Sequence, residues 1–67
     1  MSVFKLFKKK NGDIIEFYIN EDAKTITKYK NEVAIKEGVS YEGLLSYSQK
    51  LVELCDDTEE RNKICGI

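Results

Sequence analysis

The side chains with chemical potential fall into three groups, and none forms a catalytic set. Cys55 and Cys65 stand ten residues apart, Asp56, Asp57, Glu59 and Glu60 crowd the stretch between them, and eight lysines from Lys5 to Lys36 dominate the first half. The chain has no His, which removes the commonest general base and metal ligand. At 67 residues it can enclose barely one core. That leaves little room for the desolvated pocket that tunes a carboxylate or lysine for catalysis. The expectation is a protein that is not an enzyme and uses no cofactor and no metal.

Each group also has a structural use. On one continuous helix Cys55 and Cys65 would be about 15 Å apart, beyond disulfide reach; a turn at Asp56-Asp57 would bring them together, and the sequence leaves both arrangements open. The acidic stretch lacks the alternating ligands and central Gly of a calcium loop. Asp57 with Glu60 three residues later has the spacing of a helix capping box, and acids in a first turn complement the helix dipole. The lysines solvate a sheet and discourage edge-to-edge aggregation. Set among Phe7, Tyr18 and Tyr29, they are also what a sequence-tolerant single-strand binder uses, stacking for bases and ammonium groups for phosphates.

The elements that position these groups change character near Gly38. Met1–Lys36 holds 8 Lys and Arg against 5 Asp and Glu, and Glu37–Ile67 holds 3 against 7, so +3 and −4 sum to the net −1. The first half alternates apolar and polar with a period of two; the second repeats its apolar residues at helical spacing. Asn11-Gly12 predicts a two-residue type I′ hairpin. That register sets Lys8 opposite Ile15, Leu6 opposite Phe17 and Phe4 opposite Ile19, and gives a core face of Phe4, Leu6, Ile15, Phe17 and Ile19. Phe7, Ile14 and Tyr18 then point outward. Asn20–Ala23 predicts a four-residue loop, Lys24–Tyr29 a third strand with Ile26 inward, and Val33–Lys36 a short fourth.

Past Glu37-Gly38, Ser40 is expected as the N-cap of an amphipathic helix, with Val39 and Leu44 as a hydrophobic staple. Tyr41, Leu44, Leu45, Ser48, Leu51, Val52 and Cys55 share about 120° of its surface, and Tyr47 and Leu54 widen the arc to roughly 180°. A second helix capped by Asp57 runs through Cys65 to Gly66, unless the first simply continues. The expected fold is α+β over residues 1–67 as one domain: a three- to four-stranded antiparallel meander over 1–36, then a helical segment over 40–65 packed on one face.

The order of four strands and a helix resembles that of the small single-stranded-DNA-binding transcriptional coactivators. The likeness is carried by the strand Ile14-Ile15-Glu16-Phe17-Tyr18-Ile19 and by Val33–Leu54, a strand running through a Gly and a Ser into an amphipathic helix. The Lys-Gly segments and Arg-rich strands of that family have no counterpart here. The resemblance therefore implies a fold and transfers no residue role.

Two functions follow as expectations. The first is a small cytoplasmic protein-binding module, an adaptor or an inhibitor of the sort that phages and mobile elements encode. It would dock on a larger host or cellular protein through Phe7, Ile14, Tyr18, Tyr47, Leu51 and Leu54, and form a homodimer through the helix face with Tyr47, Leu51 and Leu54 or by edge-strand pairing. The competing expectation is a single-stranded nucleic-acid binder using Lys5, Lys8, Lys9, Lys10, Lys28 and Tyr29. No apolar run is long enough to span a membrane or to serve as a signal peptide.

Overall fold

A computed structural model describes residues 2–66. Four strands, β1 (Ser2–Lys8), β2 (Ile14–Asn20), β3 (Thr25–Lys30) and β4 (Val33–Ser40), form one antiparallel sheet in the order β1-β2-β3-β4. Two helices follow, α1 (Leu44–Leu54) and α2 (Thr58–Cys65). The fold is α+β, a meander with both helices after it.

The first hairpin departs from the expected register by one residue, which reverses β1. Gly12 N–H donates to Lys9 O (2.9 Å) and Lys9 N–H to Asp13 O (2.7 Å), with Gly12 at φ +97°. The loop is thus three residues, Lys10-Asn11-Gly12, a turn closed by a glycine bulge. Val3 pairs with Ile19, Lys5 with Phe17 and Phe7 with Ile15, so Val3, Lys5 and Phe7 join the inner face. Phe4 and Leu6, expected in the core, are 61% and 64% exposed. The two-residue turn occurs instead at the third hairpin, where Asn31 (φ 51°) and Glu32 (φ 71°) both take the left-handed conformation between the paired Lys30 and Val33. Between β2 and β3 a four-residue loop forms one residue later than expected, over Glu21–Lys24, because Asn20 stays in β2, its Oδ1 accepting from Asp22 N–H and Ala23 N–H.

The strand β4 continues past Lys36 to Ser40 through two irregularities in its pairing, which bring Val39 opposite Ile26 and Ser40 opposite Thr25. Packing of Val39 on the core outweighs the capping preference of Ser40. The helix accordingly starts three residues later than expected, at Leu44, with Gly43 rather than Ser40 as the N-cap and no side-chain hydrogen bond there. No Ser40 cap or Val39–Leu44 staple forms. The chain breaks at Cys55-Asp56-Asp57, and α2 begins under the Asp57 cap, whose carboxylate accepts from Glu60 N–H at 2.9 Å. Gly66, at φ 70°, ends α2 in the left-handed conformation that its missing Cβ permits.

The core lies between the inner sheet face and the helices: Ile15, Phe17, Ile19 and Ile26 from strands, Leu51 and Leu54 from α1, and Ile64 from α2. No helix among the described residues is long and apolar enough to cross a membrane.

Candidate interaction surface

The inner face of the sheet is rich in lysine: Lys5, turned inward by the reversed register, joins Phe17, Lys28 and Lys36 in one row across all four strands. Lys28 is 1% exposed and Glu60 is 0% exposed. Lys28 Nζ donates to Glu60 Oε1 (2.5 Å), to the Leu54 carbonyl that ends α1 (2.6 Å) and to Asp56 Oδ2 (3.1 Å), and it lies 5.5 Å from the centre of the Phe17 ring. Lys9 Nζ donates to Asp57 Oδ2 (2.5 Å) and to Glu60 Oε2 (3.0 Å). Lys5 Nζ reaches the Ile64 carbonyl in the last turn of α2 at 3.3 Å. A cation at a helix C-terminus and an acid in a first turn both complement the helix dipole, and here the strands supply the cations. These hydrogen bonds hold the Lys9 ammonium pKa well above the ordinary lysine range. The bond from Lys9, then that from Glu60 N–H, holds the Asp57 carboxyl below the ordinary carboxylate range.

The opposite charges of the two halves thus meet inside the molecule. Desolvating Lys28 and Glu60 is costly, and their attraction offsets that cost only when every polar atom is matched. Among the described residues no buried side-chain nitrogen or oxygen lacks a hydrogen-bond partner.

The outer face is built from the complementary positions. Phe4 pairs with Tyr18 and Tyr18 with Thr27; Leu6 pairs with Glu16, Glu16 with Tyr29 and Tyr29 with Ala34; Lys8 pairs with Ile14. The Phe4 and Tyr18 rings are 4.7 Å apart, tilted by 34°. Neither helix packs over this face, so Phe4, Leu6 and Ile14 stand exposed beside half-buried Tyr18 and Tyr29. Glu16 sits among them, half-buried, with no ion pair among the described residues.

Residues expected at one site are divided among three places. Ile14 and Tyr18 lie on the outer face, but Phe7 is turned inward against the core by the register. Leu51 and Leu54 are buried core residues, and Tyr47 packs half-buried beside them, its ring 5.1 Å from that of Tyr41. They therefore do not make a free dimer face. The apolar arc of α1 is wider than its contact with the sheet, and the protein buries the flank with Tyr47, Leu51 and Leu54. The flank with Leu44, Leu45 and Val52, expected to face the core, is left in water.

The basic set divides in the same way. Lys5, Lys9 and Lys28 are engaged by the helices, whereas Lys8, Lys10 and Tyr29 lie at the surface or on the outer face. Cys55 and Cys65 are free thiols packed against the core. Burial pushes the Cys55 thiol up to about 11, with the nearby Cys65 thiol adding to the effect.

Sequence reasoning missed Phe4 and Leu6 as surface residues and Glu60 as a buried counterion. The signal for Glu60 was the lysine spacing along β1 and just past its end: Lys5, Phe7 and Lys9 share one face, so an inward Phe7 brings Lys9 inward with a charge that needs an anion. Protein-family models, curated proteins and solved structures yield no match to this chain.

Proposed function

We propose that this protein is a small non-enzymatic docking module that binds a larger protein through the outer face of its sheet. The observation that carries the reading is the exposure of Phe4 and Leu6 at 61% and 64%, contiguous with Ile14, Tyr18 and Tyr29 across three strands. A chain this short needs its apolar side chains for its own core, and a contiguous exposed apolar patch marks an interaction site. Rigid aromatics around one half-buried polar group, which a partner would desolvate, make good interface anchors. Glu16 is that group, and it calls for a partner presenting a Lys or Arg within an apolar surface. Phages and mobile elements encode adaptors and inhibitors of this kind, and the reading extends to such a role.

The test compares capture of one identified partner by the natural protein and by a Phe4→Ser/Leu6→Ser variant whose folding is checked by circular dichroism. Loss of an anchor costs about 2 kcal/mol or more, roughly 30-fold in affinity. Undiminished capture by the folded variant would refute the proposal. Binding to a labelled single-stranded oligonucleotide over a salt series separates the competing function. Because Lys9 and Lys28 already have internal anions and Lys5 is held on the Ile64 carbonyl, no steeply salt-dependent binding is expected.

A further inference from the structure

The helix α1 carries a second apolar stripe that the fold does not use. At about 100° per residue, Leu45, Ser48 and Val52 lie roughly 120° around the helix from the packed flank of Tyr47, Leu51 and Leu54. Leu44 and Leu45 are 87% and 75% exposed. On the same side Ser48, Gln49, Val52 and Glu53 line an open, mainly apolar dent. Its lining forms two adjacent ridges, Ser48 with Val52 and Gln49 with Glu53, each spaced i to i+4, and a side chain from a facing helix inserts between such ridges.

Knob and hole match within the one helix. Leu45 points about 100° around the axis from Leu44 and the centre of the dent about 110°, so both occupy one face. They are separated along the axis by about 5.5 residues, or roughly 8 Å. If two copies of α1 run antiparallel about a two-fold axis near Ser48, each Leu45 enters the other's dent. That reciprocity is what a two-fold interface requires. Ser48 and Gln49 flank the axis, about 65° and about 35° from it around the helix, the helices approach at about 8–10 Å, and their dipoles oppose. The one charged residue in the dent, Glu53, already faces Lys50 at 3.7 Å. A two-fold centred on the outer sheet face would instead set Glu16 against its own copy.

We infer that a second copy of this chain covers the exposed flank of α1, with Leu45 of each protomer seated among Ser48, Gln49, Val52 and Glu53 of the other. The contact is one helix face wide, smaller than a permanent dimer interface, so the dimer is concentration-dependent. Sedimentation equilibrium from micromolar to millimolar protein should show the average mass climbing from monomer towards dimer. Leu45→Glu and Val52→Glu should each abolish the climb while leaving the circular dichroism unchanged, and Phe4→Ser should leave it intact. In a mixed isotope-labelled sample, Leu45 methyl protons should show intermolecular contacts to Val52 methyls. A monomer at every concentration, a climb that survives Leu45→Glu, or a climb lost with Phe4→Ser would each overturn the inference. Because the two faces are tested by different variants, its failure is separable from failure of the docking reading.

Discussion

On the inner face of the sheet Lys5, Lys9 and Lys28 are drawn beneath two helices, Lys9 and Lys28 onto carboxylates and Lys5 onto a helix-end carbonyl, whereas on the outer face Phe4, Leu6 and Ile14 stand in water. The usual arrangement sets apolar side chains inward and lysines outward. Here one strand, β1, has that arrangement half inverted. The inner lysines are useful because helix ends need cations: Lys28 reaches the C-terminus of α1, Lys5 that of α2, and Glu60 answers Lys28 and Lys9 together. The outer apolar residues have no such internal use. The difference between the faces separates what holds the fold together from what the fold offers to another molecule.

Removing Glu60 strikes hardest at the inner face, since Lys28 would then be buried without its closest anion. Glu60→Ala should cost about 3–5 kcal/mol in urea unfolding, and the pair Lys28→Met/Glu60→Leu should recover most of it. A Glu60→Ala variant as stable as the natural protein would show the inner network to be dispensable. The register comes next. Phe7→Ala should cost about 2–3 kcal/mol, and Phe4→Ala about 1 kcal/mol, mainly through the lost Tyr18 ring contact. Equal or reversed costs would restore the two-residue hairpin and exchange the faces.

Acid should loosen α2 before the outer face responds. The Asp57 carboxyl sits below its ordinary pKa of about 3.9 because Lys9 and Glu60 N–H donate to it. Its contribution is therefore present above that value and is lost as pH falls through the depressed one. Lys9 is raised, so its contribution is complete below about pH 10.4 and disappears only as pH climbs through the raised value. Amide signals of α2, followed by NMR, should shift below about pH 4 while those of Phe4 and Tyr18 hold. A transition of α2 near neutral pH would contradict this. The smallest effect is expected at the third hairpin: Glu32→Gly relieves a left-handed non-glycine residue and should stabilise by about 1 kcal/mol. A loss of stability there would mean that the Glu32 side chain has a use its backbone angle conceals.

The sequence carried the meander, a four-residue loop placed one residue too early, and, as one of two open arrangements, a second helix capped by Asp57 and ending before Gly66, because each rests on local residue chemistry. It did not decide the register of β1. Asn11-Gly12 suits a two-residue turn and, through Gly12 alone, a three-residue one. Either choice leaves apolar residues on both faces, Phe4 and Leu6 or Val3 and Phe7. What decides between them is distant: Lys9 is 48 residues from Asp57. The phase of α1 was open for a similar reason. Its apolar arc spans half the helix, and only contact with the strands selects Tyr47, Leu51 and Leu54 over Leu44, Leu45 and Val52. The start of α1 was hidden by competition at Val39 and Ser40, where strand pairing outweighs a good cap.

Lys8, Lys9 and Lys10 are consecutive, which allows one experiment to read both faces at once. Native protein exposed briefly to an amine-acylating reagent, then digested and analysed by mass spectrometry, reports the access of each lysine separately. Labelling should be fast at Lys8 and Lys10, slow at Lys9, and almost absent at Lys28 until the chain is unfolded. Lys9 and Lys28 labelled as fast as Lys8 in the folded protein would contradict this.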